Sequence, residues 1–144
     1  MRSDTEVTLD RLRMKVKKFV ENRGWETYHN PKNLAASICI EAAELLEVFQ
    51  WVSLDEAASW NNDPSKLERV KEELADIIIY CLSMANTMDI NVTQAVLTKL
   101  EKNQARYPAK KYYGEAGMEA VLERNSWTKR NESKHMEGGR SLNG

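Results

Sequence analysis

Two helical stretches, IEAAELLEVFQW (40–51) and EELADIIIYCL (72–82), impose a demand that few folds can meet. Each is apolar enough to require burial. Each also carries a carboxylate pair at a spacing of three, Glu41 with Glu44 and Glu73 with Asp76. Residues three apart share a helix face, so each pair points two carboxyl groups the same way. Ile38, Leu45 and Val48 surround Glu41, while Val70, Ile77 and Tyr80 flank Glu73 and Asp76. After Asp76 the run IIIYCL is apolar on every side, the mark of a helix buried all round. A charge at the edge of such a run is costly unless something compensates it.

Three compensations are open. The first is a set of basic partners. Lys71, Lys99 and Arg106 are available, although neither acidic helix has a basic residue inside its apolar stretch. The second is exposure on a solvated rim, the ordinary state of a helical glutamate. The third is a bound hard cation, because carboxylates facing one another from adjacent helices form the oxygen-only donor set that Mg2+ selects. A di-iron bundle also points glutamates inward, but it needs Glu-x-x-His motifs on two helices. His29 and His135 fall in a loop and a polar tail, so that reading fails.

The rest of the chain reads as helical. Val7, Leu9, Leu12, Val16, Phe19 and Val20 recur at helical spacing over 5–23, and Gly24 ends that helix. Residues 25–33 form a loop containing Asn30-Pro31. A second helix is predicted over 33–51. A short one follows over 54–60, capped by Ser53 with Glu56 completing a capping box. Ser65 and Glu68 form a similar box ahead of a long helix over 66–88, and Thr93 to Arg106 forms another before Pro108. Beyond Ser126 the chain is polar and ends in EGGRSLNG, which cannot bury enough surface to offset its ordering entropy. The expected organisation is one all-α domain, a four-helix bundle over 1–113, followed by a mobile tail over 114–144. More faces of these helices are apolar than one small bundle can cover, so assembly into a homodimer or homotetramer is expected.

Composition narrows the function classes. The chain has 144 residues with a net charge of −1, so no general basic field draws it to nucleic acid or an anionic membrane. No apolar run approaches membrane-spanning length, and the charged N-terminus has no signal-peptide centre. Cys39 and Cys81 lie in apolar helical patterns without C-x-x-C spacing, which reads as two reduced core thiols in a cytoplasmic protein.

Taken together, Glu41-x-x-Glu44 and Glu73-x-x-Asp76 resemble the acidic pairs of the MazG-like nucleotide pyrophosphohydrolases, a branch of the all-α NTP pyrophosphatases. GWETYHNPKNL (24–34), EAAELLEVFQW (41–51), EELADIIIYCL (72–82) and KLEKNQARYP (99–108) extend the likeness, which is nearest to the dCTP pyrophosphatase branch. The resemblance implies an Mg2+-dependent (Mn2+ as an alternative) conversion of a nucleoside triphosphate, dCTP or a modified pyrimidine relative, to monophosphate and pyrophosphate. It also implies a dimer or a dimer of dimers. Glu41, Glu44, Glu73 and Asp76 would hold the metal, with Glu44 or Glu41 as general base. Lys99, Asn103 and Arg106 form one helical stripe suited to outer phosphates. Trp25, Trp51 and Tyr80 would wall the base pocket, with His29 and Asn33 at its polar edge. One departure stands out: Val16 occupies a first-helix position where eukaryotic relatives carry histidine. The competing readings are a non-catalytic helical interaction protein on the same scaffold, and the same chemistry on another nucleotide such as dUTP.

Overall fold

The computed structural model describes residues 3–113. The tail expected over 114–144 and the helical turns expected near Met118–Leu122 lie outside the described residues. Helices α1 (Leu9–Glu21), α2 (Pro31–Phe49), α3 (Leu54–Ser59), α4 (Pro64–Thr87), α5 (Val92–Arg106) and α6 (Ala109–Tyr112) follow in order, with a 3-10 turn at Trp60–Asn62. No strand occurs among the described residues. The all-α expectation holds.

Local chemistry fixes the helix starts. Thr8, Asn30, Ser53 and Asp63 each have an extended backbone, and each accepts a bond from a backbone N–H of the first turn. Three helix starts differ from the sequence reading. Pro31 and Pro64 sit inside their helices rather than before them, because proline at the first helical position loses only an N–H that has no partner anyway. Asp63, not Ser65, therefore caps α4, accepting from the backbone of both Ser65 and Lys66. The first helix likewise begins at Leu9, not at residue 5.

The described chain divides into two compact units, one reaching Leu97 and the other starting at Thr98. In the first, α4 is the central element. It packs along α2 and, elsewhere on its surface, against α1 and the 3-10 turn. Val20, Leu34, Val48, Trp60, Leu82 and Ala85 are the buried apolar residues. Trp60 stacks on Phe49 with ring centroids 4.8 Å apart. Cys39 and Cys81 are free thiols, but both are exposed, which corrects their expected place in the core. They occupy helix faces that no other described element covers.

A polar clasp holds α1 against α4. Arg13 Nε donates to Asn86 Oδ1 at 3.1 Å, and Asn86 Nδ2 returns a bond to the Arg13 carbonyl at 2.9 Å. Beyond it, α1 closes through Gly24 at φ 63°. Gly24 N donates to the Glu21 carbonyl and Trp25 N to the Val20 carbonyl, at 3.1 and 3.2 Å, the paired bonds of a Schellman close. This close turns Trp25 back toward α1. Thr87 Oγ1 donates to the His29 carbonyl at 3.1 Å and so ties the following loop to α4. A β-carbon at Gly24 would meet no atom within 4 Å, so only the left-handed backbone opposes substitution. Gly24→Ala should therefore lower unfolding free energy by about 1 kcal/mol, measured by denaturant titration.

Candidate functional site

The seam between α2 and α4 gathers the acids. Glu41, Glu73 and Asp76 each offer a carboxylate oxygen within 4.8 Å of the others. Glu41 and Glu73 are half-buried and Asp76 is exposed. Glu44, one turn after Glu41, falls outside this trio, so the two i,i+3 pairs do not contribute equally. Among the described residues no lysine or arginine forms an ion pair with any of the three. Burial pushes the Glu41 carboxyl above its ordinary 4.5, and the charges of Glu44, Asp76 and Glu73 push it further the same way. An all-oxygen set of this kind, unrelieved by bases, fits a hard divalent cation.

Asp76 also opens onto a cavity of about 400 Å3 between α1, the 25–29 loop and α4. Its wall includes an aromatic row. Trp25 and His29 lie nearly parallel with ring centroids 6.5 Å apart, and His29 faces Tyr80 at 6.3 Å. Phe19 meets the Trp25 ring edge-on at 6.0 Å. Val16 and Lys15 of α1 complete the opposite side. Flat apolar walls with a few polar groups are what a heterocyclic ligand requires.

The sequence-predicted residues thus separate. Trp25, His29, Tyr80 and Asp76 come together around the cavity. Trp51 does not line it; this side chain is 89% exposed. Asn33 also lies elsewhere, its Nδ2 donating to the Tyr28 carbonyl and its backbone N–H to the Asn30 cap. Lys99, Asn103 and Arg106 share one stripe of α5 beyond Leu97, in the second unit. Lys15 and Ser83 border the cavity and were not singled out by sequence. Ser83 had a legible signal: Asp76, Tyr80 and Ser83 fall at i, i+4 and i+7, one face of α4.

The fold and the acidic trio place the chain among all-helical proteins with carboxylates massed at a helix–helix seam. Within that class it belongs to the MazG-like family, whose model matches residues 36–116. The chain is 36% identical over 107 residues to dCTP pyrophosphatase 1 of Mus musculus, a match covering 74% of this chain and 63% of that protein. Against dCTP pyrophosphatase 1 of Homo sapiens it is 36% identical over 104 residues, 72% of this chain and 61% of the relative. It therefore spans less than two thirds of the length of these relatives. A solved pyrophosphatase from Archaeoglobus fulgidus is similar with a TM-score of 0.64 and 44% identity, covering 69% of this chain and 92% of that one.

Glu41 gives the site a pH signature. The folded protein keeps this proton to higher pH than the unfolded chain does. In metal-free protein the associated stability is complete below the ordinary pKa of 4.5 and is lost as pH rises through the raised value. Glu41→Gln should remove that loss and raise the metal-free melting temperature at pH 7 by roughly 1–3 °C, allowing for solvent screening of a half-exposed group. Calorimetry across pH 4–8 checks both sign and window.

Proposed function

We propose that this chain is a metal-dependent nucleotide pyrophosphohydrolase that hydrolyses a (deoxy)nucleoside triphosphate, dCTP or a modified pyrimidine relative, to monophosphate and pyrophosphate. The observation that carries the reading is the double position of Asp76, which stands in the carboxylate trio and in the wall of the aromatic cavity. A ligand bound at both places would be anionic at one end and a flat heterocycle at the other. The family supports the same reaction. Two relatives are named for dCTP, and the archaeal structure is named a pyrophosphatase.

Glu41, Glu73 and Asp76, with Glu44 adjacent, would hold Mg2+. When bound, that ion polarises phosphoryl oxygens and offsets the charge of the departing pyrophosphate. The protein's own groups do the rest. Trp25, His29 and Tyr80 hold the base and exclude water from its faces. Glu44 lies outside the trio, and its carboxylate takes the proton from the attacking water. Lys99, Asn103 and Arg106 form a stripe of α5 whose chemistry suits phosphate, with Arg106 offering a planar fork of donors. A non-catalytic interaction protein has no use for like-charged carboxylates left without basic partners.

The working form is a homo-oligomer. Leu46, Trp51 and Leu54 are 68%, 89% and 91% exposed, and an apolar patch of this kind marks an interface. Placed there, Trp51 is buried by assembly rather than by its own chain. Trp51→Glu should convert the oligomer to monomer at micromolar concentration by light scattering; a wild type that is itself an active monomer would refute the assembly.

Hydrolysis should release pyrophosphate in one step and stop in excess EDTA. Stepwise orthophosphate release would overturn the reaction. Glu44→Gln and Glu73→Gln should separate the two carboxylate roles. Glu44→Gln should retain Mn2+ binding by calorimetry while kcat falls by about 100-fold or more. Glu73→Gln should lose the metal itself.

A further inference from the structure

Two polar atoms near the cavity are buried and make no hydrogen bond: His29 Nδ1 and Ser83 Oγ. Ser83 is 3% exposed. A serine within a helix commonly bonds back to the carbonyl one turn earlier. Ser83 does not, so its hydroxyl bears the cost of burial with no partner. A residue there for packing alone would serve better without the oxygen.

The position is specific. Val20, His29 and Ser83 border both the 400 Å3 cavity and a second one of about 250 Å3, and so form the partition between them. Rotation about χ1 moves a serine hydroxyl among staggered positions and can turn it toward either side of that partition. Ser83 stands seven residues after Asp76 on the same face of α4, about 10 Å along the helix axis. A nucleotide extends over a comparable interval from its α-phosphate to the part of the base farthest from the sugar.

We infer that Ser83 is a specificity-determining residue whose hydroxyl hydrogen-bonds the 4-substituent of a pyrimidine base seated in the cavity lined by Trp25, His29 and Tyr80. The inference rests on the nucleotide reading of this cavity. A hydroxyl both donates and accepts, so it matches the amino group of cytosine as well as the carbonyl of uracil. His29 Nδ1 lies on the same partition and offers a second polar contact. Val16, on the α1 side, contributes apolar surface only. Besides Asp76, the cavity's polar groups include Ser83 of α4, His29 of the loop and Lys15 of α1.

The test compares wild type and Ser83→Ala in kcat/KM for dCTP and for the deoxynucleoside triphosphate of pyrimidin-2-one, which lacks the 4-substituent. Thermal melts of both proteins accompany the kinetics. Ser83→Ala should melt at or above the wild-type temperature, since it removes an unpartnered buried hydroxyl. Its kcat/KM for dCTP should fall about tenfold, mainly through KM, as expected for one lost neutral hydrogen bond. The analogue should be turned over within about twofold of wild type, so discrimination between the two substrates narrows. An unchanged dCTP-to-analogue ratio would overturn the inference. So would a lowered melting temperature with equal losses on both substrates, which would make the hydroxyl structural. If wild type with Mg2+ cleaves neither triphosphate, the nucleotide reading itself falls and this inference with it.

Discussion

Three like charges crowded where two helices pack are the constraint around which the first unit is organised. Glu41, Glu73 and Asp76 bring oxygens within 4.8 Å at the α2–α4 seam, and no described base relieves them. Repulsion of this kind opposes the packing that creates it. The apolar residues beside the acids supply the opposing attraction, and the raised Glu41 pKa records what repulsion and burial leave uncompensated. A site that is uncomfortable when empty is well prepared for a hard cation, because coordination replaces repulsion with attraction at every oxygen.

Contacts of α1 and the loop that follows it set a cavity next to Asp76. The Arg13–Asn86 clasp fixes α1 on α4, and the left-handed Gly24 turns the chain sharply enough to set Trp25 beside His29. The bond from Thr87 to the His29 carbonyl then ties the loop to the helix that carries Asp76 and Tyr80. Asp76 of the acidic trio and Tyr80 of the aromatic wall thus stand one turn apart on α4. The spacing of Asp76, Tyr80 and Ser83 is set by helix rise.

Apolar periodicity marks a helix face, not what covers it. Residues that read as core in the sequence, Cys39, Ile40, Cys81 and Ile78 among them, are exposed. The burial expected from their periodicity is not met among the described residues.

The sequence by itself determined the helices, the turns between them and the acidic pairs. These depend on neighbours a few residues apart: a side chain capping an N–H, a glycine allowing a left-handed turn, or two carboxylates three residues apart. The starts expected at 33 and 66 each fell two residues from the observed Pro31 and Pro64, and that at 5 fell four from Leu9, all in helices that were found. Only the tertiary structure decided that Glu41 joins Glu73 and Asp76 while Glu44 stands aside, and that Trp51 faces outward while Ser83 faces the cavity wall. Those outcomes depend on the rotation of α2 against α4 and on how α1 lies across them. Contacts between residues far apart in the chain set that geometry, and helical periodicity is unchanged by turning one helix about its own axis.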